Sequence, residues 1–273
     1  MNTRSKFQRI RRIWAVVGIT VTIVFVVWSV WAYRATPNAK AAAESDSRVT
    51  VTHEEEGFMR FTLASATQRV PVGLVFFAGS LVDPVAYAPM ARAIAAAGFP
   101  VILVPLPRRG AFGGADSPLL KQHTLDAIHA DERANRWLIG GHSRGAVVAT
   151  NFAADLQGFG AISLAGLVLV GTTHPRDIDM SGFRYPVTKI IGSNDGIAPE
   201  AKSEANRKLL PPHTTWVRIE GGNHSQFGWY GFQPFDHWAT ITRDEQQQQL
   251  VNAILAALRE AGELPRFTIP AKP

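Results

Sequence analysis

No cysteine occurs among the 273 residues. Disulfides, thiolate metal sites and cysteine nucleophiles are therefore excluded. Acidic residues are missing from one region: residues 1–34 hold Arg4, Lys6, Arg9, Arg11, Arg12 and Arg34, six of the 28 basic residues, and none of the 22 acidic ones. The net charge of +6 therefore belongs to the N-terminal segment, and the remainder is balanced. A basic face for nucleic acid is not expected on the body. The first strand–helix junction, "FFAGSLVDP", lacks G-x-G-x-x-G, which argues against a dinucleotide fold.

A second absence has a direct consequence. The run "IWAVVGITVTIVFVVWSVWAY", residues 13–33, contains no charged residue. As a helix of about 1.5 Å rise per residue it crosses a hydrocarbon core of roughly 30 Å. It is apolar on every face, unlike a helix that covers a soluble core. Trp28, Trp31 and Tyr33 lie at one end, where amphipathic rings favour the membrane interface. Five cations precede the run. The expected layout is a basic cytoplasmic segment at 1–12, a transmembrane signal-anchor helix at 13–33, a linker at 34–47 and a body at 48–273. The N-terminus then lies inside and the body outside the cytoplasmic membrane. The alternative is a cleaved signal peptide and a secreted body, since "NAKAAAES" offers small residues at cleavage-like spacing. The run exceeds the usual ~7–15 residues of a signal h-region, which favours the anchor. The Ala-rich stretch from Ala35 to Ser47 reads as a short tether.

The chain is 46% hydrophobic, and its length is enough for one sizeable core. "RVTVTH" (48–53) and "FMRFTLA" (58–64) predict an antiparallel hairpin. The apolar runs at 72–79, 101–106, 136–141, 166–172, 187–193 and 215–221 predict strands. They alternate with predicted helices at 83–99, 117–131, 145–155, 199–209 and 244–261. Such alternation gives an α/β architecture, a mostly parallel sheet with helices on both faces. Gln246 to Gln249 reads as a solvated helix face.

One junction carries chemistry. In "RWLIGGHSRGAVVATNF", Gly141 and Gly145 flank Ser143 as G-x-S-x-G, between a predicted strand and a predicted helix. A serine hydroxyl needs exposure and a neighbouring base to become a nucleophile. A sharp strand-to-helix turn supplies the exposure and tolerates only small neighbours. An acid and a histidine are expected to follow in that order. Asp195 in "SNDGIAP" and His224 in "GNHSQFG" each come just after a predicted strand, at the carboxyl edge where ligands bind in open α/β sheets. Asp177 and Asp179 are rivals for the acid. His213 and His237 read as surface or packing residues, His142 as support for the turn, and His174 as a pocket or loop residue. Two backbone N–H groups are expected to form an oxyanion hole: that of Arg144, and one from Ser80 or Leu81 after the first parallel strand.

The segments "VFFAGSLVDPVAYAPMARAIAAAGFPVILVPLP", "GGHSRGA", "GSNDGIAP" and "GGNHSQFGWYG" together resemble the α/β-hydrolase superfamily, in the branch catalogued as α/β hydrolase family 5 and related to dienelactone hydrolases. The resemblance runs from about Val70 to about Leu258. It implies the α/β-hydrolase fold, Ser143, Asp195 and His224 as a triad, and ester-type hydrolysis of a small molecule with no cofactor or metal. Dienelactone hydrolases proper use cysteine where Ser143 stands, so their substrate is not carried over. Many relatives read Gly-His-Ser-Leu-Gly-Gly, where this chain has Arg144 and Ala146. Arg144 is expected either to meet an anionic acyl group or to pair with a carboxylate at the rim. The expected activity is a membrane-anchored serine hydrolase of carboxylic esters. A thioesterase or peptidase with the same residues, or a non-catalytic binding module on the same fold, is the alternative. The aromatic segment 226–241 is expected to wall a pocket or to pack as a loop over the sheet.

Overall fold

The computed structural model describes residues 3–54, 56–159 and 164–263. Residues 1–2 of the expected basic segment and 264–273 of the expected body lie outside them. The elements are α1 (Thr3–Ala32), α2 (Pro37–Ala42), β1 (Val49–His53), β2 (Met59–Leu63), β3 (Val70–Phe77), α3 (Ala88–Ala96), β4 (Val101–Val104), α4 (Pro118–His129), β5 (Ala134–His142), α5 (Arg144–Phe159), β6 (Leu164–Val170), β7 (Val187–Gly192), α6 (Glu200–Ala205), β8 (Thr215–Ile219) and α7 (Arg243–Glu263).

The eight strands form one sheet in the order β1-β2-β4-β3-β5-β6-β7-β8. β1 and β2 pair as the expected hairpin, with Val51 opposite Phe61. β2 joins β4 antiparallel, and β3 to β8 run parallel to their neighbours. The buried apolar runs of β3 show why both faces need covering. Leu74 and Phe76 pack on one side in a core with Ile94 of α3 and Ile254 and Leu258 of α7. Val75 and Phe77 pack on the other with Leu120 and Ile128 of α4 and Phe152 of α5. Alternate residues of one strand thus feed two separate cores. All parallel strands end on one edge, and their following loops gather there.

α1 is long and apolar enough to span a membrane, and none of its apolar stretch is buried against the body. Its end is not loose. The Ala32 carbonyl accepts from Gly231 N–H at 2.6 Å, and the Tyr33 carbonyl accepts from Asp83 N–H at 2.9 Å. The Tyr33 ring stacks on that of Tyr230, with centroids 6.1 Å apart.

The stretch expected to be a tether differs from that expectation. Thr36 caps α2 through Ala39 N–H, and Pro37 opens the helix. Ala35, Ala39 and Ala43 are buried in the same core as Tyr87 and Ile94. Arg92 of α3 donates to the carbonyls of Ala42 and Glu44 and pairs with Asp46. Alanine has a weak burial signature, so an Ala-rich helix with one packed face reads like a linker in sequence.

Candidate active site

The turn between β5 and α5 is built by close approach. Ser143 adopts φ +55°, a left-handed conformation that is uncommon outside glycine. A Cβ on Gly141 would stand 2.4 Å from the Gly145 backbone, and one on Gly145 would stand 2.2 Å from the Phe77 carbonyl oxygen. Both positions therefore require glycine. The result is that the start of α5 lies directly on the end of β3. Ser143 is half-buried, and its N–H is tied to the Val170 carbonyl at 2.9 Å.

Asp195 follows β7 and His224 follows β8. His224 Nδ1 lies 2.9 Å from Asp195 Oδ2, with both side chains 1% exposed. The other carboxylate oxygen accepts from Ile197 N–H at 2.9 Å and Ala198 N–H at 2.6 Å. A carboxylate bonded on both oxygens in this way only accepts, so the imidazole proton sits on Nδ1. Nε2 then carries the lone pair, and it has no hydrogen-bond partner among the described residues. The His224 ring lies 4.5 Å, centroid to centroid, from that of His142, the residue just before Ser143. No hydrogen bond joins Ser143 Oγ to Nε2.

The rival residues are elsewhere engaged. Asp179 accepts from Ser181 N–H at 2.9 Å. Asp177 is largely exposed and 3.1 Å from His174 Nδ1. That contact has ion-pair distance but not hydrogen-bond geometry, since both ring nitrogens of His174 lack a bonded partner. Burial lowers the His174 pKa to about 4 and keeps the ring neutral. His213 and His237 are exposed.

His142 supports the turn, as expected, through a partner that sequence reading missed. Tyr87 Oη accepts from Gly79 N–H at 3.0 Å and lies 2.8 Å from His142 Nδ1. The arrangement that leaves no buried hydroxyl proton unbonded has Tyr87 donating to Nδ1. Burial, and next the nearby His224, hold the His142 pKa well below the ordinary value. Burial likewise pushes the Tyr87 phenol upward and keeps it protonated. One neutral chain thus links the loop after β3 to the residue before Ser143.

The expected oxyanion donors separate here. Leu81 N–H is consumed by the Arg109 carbonyl at 2.7 Å, which removes it as a free donor. Gly79 N–H is held by Tyr87. The N–H groups of Ser80 and Arg144 have no acceptor among the described residues. The Arg144 side chain meets a rim carboxylate: Nη2 lies 2.7 Å from each oxygen of Asp116.

Asp236, unmarked in the sequence, joins the loops that carry Asp195 and His224. Its Oδ1 accepts from Gly196, His224 and His237 N–H, and its Oδ2 accepts from Ser225 N–H and Oγ. Half of the glutamine run is the expected solvated face, since Gln248 and Gln249 are exposed, but Gln246 and Gln247 are buried. Gln246 is buried and bonds both backbone groups of Asn223 at 3.0 and 2.7 Å, and Gln247 donates to the Gln226 carbonyl at 2.6 Å. A cleft of about 920 Å³ opens beside the site, lined among others by Asp83, Leu106, Phe112 and Asp116. It abuts the site through Asp116, the partner of Arg144, but Ser143, Asp195 and His224 do not line it. The aromatic segment does not wall this cleft. Phe227 and Tyr230 join the core, while Phe232 stacks on Trp238 at 4.3 Å. Among the described residues no group of three or more His, Asp or Glu side chains is gathered to hold a metal.

Residues 73–248 match the alpha/beta hydrolase family. A comparison with curated protein sequences gives no significant match. Among solved structures, an esterase from the fungus Rhizomucor miehei is similar at a TM-score of 0.58 and 13% identity, over 87% of this chain and 90% of that one. A bacterial heroin esterase is similar at 0.55 and 15% identity, over 81% and 88%. TT1662 from Thermus thermophilus is similar at 0.55 and 17% identity, over 80% and 100%. At these identities the likeness shows a shared fold.

Proposed function

From a chain that belongs to the alpha/beta hydrolase family, we propose a membrane-anchored serine hydrolase that cleaves carboxylic esters. One observation carries the reading: the buried His224–Asp195 pair, whose free Nε2 lies beside the turn that presents Ser143. Ser143 Oγ attacks the ester carbonyl as its proton passes to His224 Nε2. Asp195 holds the ring and balances the imidazolium charge. The N–H groups of Arg144 and Ser80 receive the oxyanion, and Arg144 sits at the start of α5, where free N–H groups favour negative charge. The imidazolium returns its proton to the leaving alkoxide. Water, deprotonated by the same nitrogen, then releases the acid from the acyl-serine.

Anchoring is supported by the apolar run of α1, and orientation by the five cations at the N-terminal end of that helix. The N-terminus is placed in the cytoplasm and the body outside. The esterase names among the similar folds support an ester over other acyl bonds. The test is labelling of the full chain by a fluorophosphonate probe. Labelling of the wild type that disappears in Ser143→Ala is expected. A folded wild type that takes no label would return the fold to the binding-module alternative.

A further inference from the structure

α1 does not simply tether the body; it meets the body at the edge where the candidate site opens. Its last residues are held by two loops of that edge. One is the loop after β3, through Asp83 N–H to the Tyr33 carbonyl. The other is the loop after His224, through Gly231 N–H to the Ala32 carbonyl and Thr36 N–H to the Trp229 carbonyl. Ala32 and Tyr33 are buried there, while Trp31, one residue earlier, is 70% exposed. The apolar run of the helix ends at Tyr33, so no spacer separates the hydrocarbon from the body.

A second observation is independent of the first. Among the described residues, the large apolar side chains exposed on the body are Leu81, Phe112, Leu119, Phe235 and Trp238. Leu81 follows β3. Phe112 and Leu119 lie between β4 and the first turn of α4. Phe235 and Trp238 follow β8. Four thus sit on loops at the carboxyl ends of the parallel strands and Leu119 in the helical turn that follows such a loop, and among the described residues the other faces of the body have none. Phe112 is 91% and Phe235 83% exposed. A soluble protein scatters such residues singly, whereas gathered on one side they mark an interaction surface.

We infer that the carboxyl edge of the sheet rests on the bilayer that α1 spans, and that the ester substrate is an amphiphile held in that bilayer. The occupant of the patch is fixed by covalent connection: the lipid surface is where α1 delivers this edge. Aromatic side chains at such a boundary place their rings at the headgroup level. A site opening there meets an ester whose acyl chain lies in the hydrocarbon and whose carbonyl lies at the interface. The substrate class rests on the hydrolase reading above; the contact with lipid does not.

The absence of cysteine makes the test clean. The full chain carrying Phe112→Cys or Phe235→Cys, and separately Gln68→Cys or His213→Cys on the opposite edge, is labelled with a fluorophore. It is then reconstituted in phosphatidylcholine–phosphatidylglycerol nanodiscs containing a lipid with a nitroxide near the top of its acyl chain. Labels at 112 and 235, seated about 5–10 Å into the boundary, are expected to lose about half or more of their fluorescence, and those at 68 and 213 to keep it. Equal signals at all four positions overturn the lipid contact. In the same discs, umbelliferyl palmitate dissolved in the bilayer is expected to be cleaved. Cleavage of aqueous umbelliferyl acetate with the palmitate spared overturns the substrate class. Failure to cleave either ester counts against the hydrolase reading and leaves the quenching result to decide the contact.

Discussion

Asp236 shows how much of the site depends on groups that never touch a substrate. It gathers four backbone N–H groups and one hydroxyl from both loops that carry the acid and the base. Each buried N–H left without an acceptor costs about 1–3 kcal/mol. Asp236→Ala is therefore expected to lower kcat by about 10²-fold through misplacement of His224, with KM little changed. Asp236→Asn, which keeps one carbonyl acceptor, should recover part of the loss. A fall in KM-determined binding with kcat intact would show that Asp236 does not position the imidazole. Nothing near "QPFDHW" announces this role, because the bonds join residues 196, 224, 225 and 237 only after folding. The positions of Ser143, Asp195 and His224 could be read for the opposite reason: each lies within five residues of the end of a strand, after β5, β7 and β8, so local pattern and sheet topology together put them at one edge. The choice between Ser80 and Leu81 is not legible in the sequence, because Arg109, whose carbonyl takes the Leu81 N–H, is distant along the chain.

Two buried histidines give a pH signature. His174 is held neutral by burial, with its pKa lowered from 6.5 to about 4, and His142 is lowered in the same direction. Between those values the unfolded chain binds protons that the folded chain does not. Stability therefore rises with pH in this window and falls as pH drops from 6.5 toward about 4. The melting temperature should decline across that range, and His174→Asn should flatten the decline. A pH profile identical in the variant would contradict the assignment.

At the scale of elements, periodic features were readable and docking was not. The apolar runs gave the strands, and the helices expected to begin near residues 83 and 117 open at Pro84 and Pro118. Side-chain type alone does not show docking: Gln246 fixes the His224 loop to α7 while Gln248 and Gln249 stay exposed, and the stretch that reads as a tether holds α2, which covers part of the core. A chain starting at Arg48 therefore loses buried Ala35, Ala39 and Ala43 and the acceptors of Arg92. It should melt clearly lower than one starting at Tyr33, by several degrees for each ~1 kcal/mol lost. Equal melting temperatures would show that α2 contributes no packing.

At the scale of the whole molecule, charge and hydropathy set the N-terminal segment apart from the body. Five of the six cations of residues 1–34 and all of the uncharged run but Tyr33 lie in α1, and the balanced body follows without a loose connection. The two loops that hold α1 and the loops that carry Ser143, Asp195 and His224 gather at one end of a sheet whose two faces are covered by the two cores. If those three side chains act as a unit, they must fail as a unit. The most direct measurement is kcat/KM of the full chain on a short ester for Ser143→Ala, His224→Ala and the double variant. Each single substitution is expected to reduce it by about 10⁴-fold or more, and the double variant no further. Singles that keep activity within about tenfold of wild type, or losses that multiply in the double variant, would contradict it.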